Sequence, residues 1–314
     1  MSIIFSLSIL VSLFLLLSFA ADQVAKNLRV IAVKLGLPIF LLGLVLGLFT
    51  SFPEGAIAIN AMINGVQGLS IGNLFGGVVV MFSLVLGIGV ILNKEITNDG
   101  RLSFLALCFA YILLPFFLAI KGNLNYIDGI LLIVLYFFLL ARLYQANHQM
   151  FHFKIALVSE TKVIKETLLV VGGIIAILLS SHYIIEITGT LLKQYNLSPF
   201  LIGLIFFPLG TNLPELTVAI ASWRRKDKEL SFSNLLGSAV ANTLIVGALV
   251  TIKTYSFSQN YNYLVTFLFM AVLAVTMMVF YRSGKRLSRL EGIILVGIYI
   301  LFIIFQFQSD PLNL

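Results

Sequence analysis

The sequence predicts an all-α membrane protein of ten transmembrane helices, arranged as two inverted five-helix repeats. Three observations carry this. Of the 314 residues, 60% are apolar and 11% charged, with a mean hydropathy of +1.07; a soluble globular chain is about half apolar and about a quarter charged. Apolar runs of membrane-spanning length recur ten times, and the two halves of the chain repeat one another at a constant offset of 161 residues.

In order, the runs lie at about 2–20, 37–63, 70–92, 102–120 and 125–141, then at about 163–185, 198–222, 230–252, 261–281 and 290–307. The roughly 188 apolar positions suffice for ten helices of about 20 residues, the length that crosses a hydrocarbon core. Ser18, Ala20 and Ala21 look like a signal-peptide cleavage site, but no basic residue precedes the first run, so that run is expected to remain as a span. The longest polar interval runs from Arg142 to Lys162. The chain therefore divides into a first repeat over 1–144, a short cytoplasmic connection over 145–162 and a second repeat over 163–314, with no separate soluble domain.

Charge sets the expected orientation. With the amino terminus outside, 17 of the 20 Lys and Arg fall in inside loops, and Lys121, Lys193 and Lys253 fall outside. This is the positive-inside pattern, and it turns both termini outward. The net charge of +7 then belongs to a basic cytoplasmic face and not to a nucleic-acid surface. Cys108 is the single cysteine and sits in an apolar run, which excludes an intrachain disulfide or a zinc cluster.

The repeat shows in two segments. Thr50-Ser51-Phe52-Pro53-Glu54 returns as Thr211-Asn212-Leu213-Pro214-Glu215. Ser70-Ile71-Gly72-Asn73-Leu74-Phe75-Gly76-Gly77 returns as Ser231-Phe232-Ser233-Asn234-Leu235-Leu236-Gly237-Ser238. Pro38 and Pro199 share the offset, as do Ala58 and Ala219. Five spans per repeat is an odd number, so the second repeat enters the membrane from the opposite side. Secondary transporters are built in this way and hold substrate near the midplane between interrupted helices of the two repeats.

Glu54 and Glu215 lie in the middle of apolar runs, whereas the other eleven acids lie in loops or near run ends. A carboxylate at that depth costs at least a few kcal/mol and normally faces a cavity on an ion or proton path. Pro53 and Pro214 each remove a helical donor, so both helices are expected to open and free carbonyls over Thr50 to Pro53 and Thr211 to Pro214. The hydroxyls of Thr50, Ser51, Thr211 and Ser238 and the amides of Asn212 and Asn242 complete a set of hard oxygen donors. Calcium takes six to eight oxygens, whereas zinc or copper calls for His or Cys, which the two motifs lack. Two carboxylates balance a divalent charge. Once the ion leaves, their mutual repulsion invites protons or sodium in its place, which is the physical basis of antiport.

The repeated Thr-x-x-Pro-Glu motif, followed by a Gly-Asn-x-x-Gly-Ser-like helix start, resembles the alpha-repeats of the calcium/cation antiporter superfamily, which includes the Na+/Ca2+ and H+/Ca2+ exchangers. The resemblance is specific over about 50–81 and 211–242. It implies ion ligation by Thr50, Ser51 and Glu54 and by Thr211, Asn212 and Glu215, with Ser238 and Asn242 contributing. It also implies a transporter and not an enzyme, with no cofactor, carrying Ca2+ against H+ or Na+ through the lipid bilayer. The short connection between the halves resembles prokaryotic members, which points to a prokaryotic plasma membrane. Gly77 and Met81 stand where the family has Ser and, four residues on, Asn or Asp, and Asn242 stands where several sodium-coupled members have Asp. Fewer oxygens favour two protons per calcium over a full set of sodium sites.

A passive divalent-cation channel, a carrier of another cation and a non-transporting ion sensor are the alternative readings of the same carboxylates. His148 and His152 are four apart but read as loop residues in preference to a metal pair. The run Arg224-Arg225-Lys226-Asp227-Lys228 reads as a topology determinant in preference to a lipid-headgroup site. Gly43 with Gly47, and Gly72 with Gly76, read as close helix packing.

Overall fold

Backbone groups in lipid have no partners but one another, so long apolar runs form helices. A computed structural model describes residues 3–34, 48–93, 95–97, 102–146, 164–217, 220, 230–257, 261–283 and 286–309. The helices of the first half are α1 (Ile3–Lys34), α2 (Phe52–Ile63), α3 (Gln67–Asn93), α4 (Leu102–Leu118) and α5 (Tyr126–Ala146). Those of the second half are α6 (Ile164–Gln194), α7 (Pro199–Thr211), α8 (Leu230–Ile252), α9 (Tyr261–Ser283) and α10 (Arg289–Ser309). Among the described residues, six helices, α1, α3, α6, α8, α9 and α10, are long and apolar enough to cross a membrane. The chain is an integral membrane protein.

Several helices outrun their apolar cores. α1 continues past residue 20 to Lys34, supported by the Asp22–Lys26 pair one turn apart, the fully buried Val24 and a 2.9 Å ion pair from Lys34 to Glu166 of α6. α6 runs to Gln194, so Glu186 lies inside a helix and not near its end, exposed and 4.0 Å from His182. Hydropathy marks the length in hydrocarbon, whereas the helix persists through the interface, where polar side chains are solvated. α3 carries a π-helical turn at Met81–Val85, for which the sequence offered no signal. Gly43, Gly47, His148, His152 and the basic run 224–228 lie outside the described residues.

Helices of the two halves pack against one another. α1 lies along α6, α4 along α9, α3 along α7, α5 along α8 and α10 along α3. A shift of 161 residues carries α1 onto α6 and α4 onto α9, and turns the α5–α8 pair into the α10–α3 pair. Loops read as plain connections hold two short antiparallel ladders: β1 (Glu95–Thr97) with β4 (Arg286–Ser288), and β2 (Asn123–Leu124) with β3 (Tyr255–Ser256). The same shift carries β1 and β4 to 256–258 and 125–127, beside β3 and β2 but not into their register. One apolar cluster, around Phe75, Phe82, Phe109, Phe116 and Phe302, fills the space between α3, α4 and α7 to α10. A second, around Leu17, Val24, Ile57, Ile177, Ile184 and Phe207, lies between α1, α2, α6 and α7.

One polar tie pins the start of α5. The buried Asp128 accepts from Lys121 Nζ at 2.6 and 2.7 Å and from the Asn125 N–H at 2.8 Å. Asp128→Ala leaves that N–H without its acceptor and is expected to destabilise by about 1–3 kcal/mol, read as a lower Tm in detergent.

Candidate cation-binding site

The two Pro-Glu motifs interrupt their helices at equivalent residues. A helical segment at 48–50 stops at Ser51 (φ −87°, ψ 8°), and α2 begins with Pro53 and Glu54 in its first turn. α7 stops at Thr211, Asn212 takes φ −91° and ψ 14°, and helix resumes at 213–217. Ser51 and Asn212 are 161 residues apart and share nearly the same backbone, in the sparsely populated bridge region.

The opening is narrower than the sequence predicts. Gly55 N–H donates to Ser51 O and Leu216 N–H to Asn212 O, both at 3.0 Å. Thr217 Oγ1 donates to the carbonyls of Leu213 and Pro214 at 2.8 and 2.7 Å. The Ser51 and Asn212 carbonyls are therefore engaged, and the single Thr217 hydroxyl proton is shared between the other two. A proline deletes one donor, and i→i+4 bonding resumes on its far side. The site depends more on side chains than the motif alone implied.

Those side chains converge. Glu54 is fully buried and Glu215 is 3% exposed, and the two are neighbours, with Thr211 beside Glu54. None of their four oxygens has a hydrogen-bond partner. Thr50 Oγ1 lies 2.9 Å from Ser238 Oγ, and Ser51 Oγ donates to Ser238 O at 3.1 Å. Asn212 Nδ2 donates to Pro208 O at 2.9 Å, which leaves its buried Oδ1 without a partner. Asn242 is fully buried with both amide atoms unpartnered. A Cβ placed on Gly77 would stand 3.1 Å from Asn242 Nδ2 and 3.6 Å from Asn212 Nδ2. The missing Ser hydroxyl of the first repeat is thus absent from the site itself, and Met81, fully buried, opens the π turn.

Asn73 of α3 is an addition that sequence reasoning passed over. It is fully buried, its Oδ1 accepts from Thr211 Oγ1 at 3.3 Å, and its Nδ2 has no partner. The signal was present: Asn73 and Asn234 share the repeat offset inside the quoted motif. Among the described residues, no group of three or more His, Cys, Asp or Glu gathers elsewhere. The donors are carboxylate, hydroxyl and amide oxygens, a set suited to a hard cation. Buried carboxylates without partners are costly unless a cation or protons compensate them.

The sodium/calcium exchanger protein family matches residues 5–145 and 165–308 of the chain. The protein belongs to this family. It falls within the calcium/cation antiporter superfamily. An uncharacterised membrane protein of Methanocaldococcus jannaschii is 24% identical to this exchanger-family chain over 295 residues, covering 90% of this chain and 89% of that protein. The crystal structure of the H+/Ca2+ exchanger CAX superposes with a TM-score of 0.77 at 18% identity, covering 98% of this chain and 87% of that one. The sodium-calcium exchanger NCX_Mj superposes with a TM-score of 0.66 at 22% identity, covering 96% of this chain and 99% of that one. At such identities the likeness is one of fold.

Proposed function

We propose that this protein is a secondary active antiporter that exchanges Ca2+ for protons by alternating access, with Glu54 and Glu215 holding the ion between two inverted five-span repeats. The observation that carries this reading is the pair of buried carboxylates, one at each helix interruption and none of whose oxygens has a hydrogen-bond partner. Thr50, Ser51, Thr211, Asn212, Ser238 and Asn242 supply the remaining oxygens. The exchange of helix pairs under the 161-residue shift supports the repeat architecture. The Lys and Arg distribution supports ten spans with both termini outside, and the short connection between the halves favours a prokaryotic plasma membrane.

Proton coupling follows from what the site lacks. Gly77 and Met81 contribute no side-chain oxygen, and Asn242 contributes no charge, so little remains to build sodium sites beside the calcium site. Two protons, one on each carboxylate, return the emptied site neutral. The test is Ca2+ uptake by proteoliposomes under an outward proton gradient, an outward sodium gradient, or neither. Uptake is expected to follow the proton gradient and to change little with sodium. Equal uptake in all three conditions would mean passive conduction and would overturn antiport.

A further inference from the structure

We propose that Asn73 is a positioning residue for the cation site, orienting the Thr211 hydroxyl so that its lone pairs face the ion. The proposal rests on the antiport reading and adds a residue to it. A hydroxyl coordinates a cation only through oxygen lone pairs, so its proton has to be directed to some other acceptor. For a threonine on a helix that acceptor is usually the carbonyl four residues back. Thr190, Thr217, Thr243, Thr251 and Thr266 all donate there, to the carbonyls of Glu186, Leu213, Ala239, Gly247 and Asn262. Thr211 instead donates across the helix interface, from the end of α7 to Asn73 Oδ1 on α3.

The consequence is geometric. With its proton held by Asn73, Thr211 presents lone pairs away from α3, on the side where Asn212 Nδ2 approaches at 3.4 Å. Ser51, the counterpart of Asn212, likewise gives its proton to a partner on another helix, Ser238 O. The contact also ties α3 to α7 one turn from where Gly76 meets the α7 backbone, so the hydroxyl is oriented by the element it packs against. Both partners are buried, Asn73 fully and Thr211 to 1% exposure, so water offers no substitute acceptor.

The test is a double-mutant cycle read in proton-driven Ca2+ uptake, with Asn73→Leu, Thr211→Val and the pair. Each single variant is expected to raise KM for Ca2+ about tenfold with Vmax changed less than about twofold, and the pair is expected to be no worse than the weaker single variant. Multiplying effects, or an unchanged KM in Asn73→Leu, would overturn the proposal. So would a loss confined to Tm in detergent, the signature of a merely structural contact. Wild-type protein that fails to couple uptake to a gradient would instead sink the antiport reading, so the two failures are distinguishable.

Discussion

Glu54→Gln and Glu215→Gln are each expected to abolish Ca2+ exchange while the protein stays folded. The amide has the shape of the carboxyl group, and since neither carboxylate has a hydrogen-bond partner, the exchange breaks none. What it removes is charge. Even at an effective dielectric of about 20, a divalent ion about 2.4 Å from a unit charge gains roughly 14 kcal/mol of gross Coulomb energy before desolvation. If a quarter of that survives, about 3.5 kcal/mol, affinity falls more than about a hundredfold. Without calcium, the Gln variants are expected to be at least as stable as wild type, because an amide is neutral without the proton uptake that buried carboxylates require. The measurements are uptake in proteoliposomes and Tm with and without Ca2+. The calcium-dependent rise in Tm that binding produces should vanish together with uptake. Wild-type uptake in both variants would refute the site assignment.

Gly76→Ala is expected to be the most damaging small substitution outside the carboxylates. A Cβ at residue 76 would lie 2.0 Å from Leu204 O, and one at Gly72 would lie 2.3 Å from Phe200 O, with backbone and not a movable side chain as the obstacle. α3 and α7 would have to separate by more than about an ångström, losing the close packing that holds helices together where no hydrophobic drive acts. A cost at or above the usual 1–3 kcal/mol of overpacking is expected, as a drop in Tm in detergent and a loss of uptake. Gly189→Ala is the control. Nothing lies within 4 Å of a Cβ there, so helix propensity alone should leave Tm unchanged or raised. Equal Tm values for Gly76→Ala and Gly189→Ala would show that the α3–α7 crossing is not as close as described.

Much of the site was legible in the chain because the signals are covalent or tied to depth. Pro53 and Pro214 lack a donor wherever they sit, and the breaks at Ser51 and Asn212 follow from that. The family motif carried the grouping of Thr50, Ser51, Glu54, Thr211, Asn212, Glu215, Ser238 and Asn242. Other features were not legible. The contact between Thr211 and Asn73 joins residues 138 apart and exists only because two helices cross there. Four of the carbonyls expected to be free, those of Ser51, Asn212, Leu213 and Pro214, have a donor within reach, because bonding resumes within one turn of the break. The reach of α1 to Lys34 and α6 to Gln194 escaped hydropathy, since polar residues in a helix end cost nothing once they are solvated. Two- and three-residue ladders depend on loop partners that no local pattern names.

The sequence by itself determined the solvent, the helical class, the family and the two places where helices break around an acid. Each of these is a one-dimensional property: apolar run length against bilayer thickness, a missing N–H, and a carboxylate at depth. The tertiary structure alone decided which oxygens are engaged and which are not, and that Glu54 and Glu215 are both buried. Those outcomes depend on how closely α3 approaches α7 through Gly72, Gly76 and Gly203, a distance set by packing across the repeats and not by any residue's own propensity.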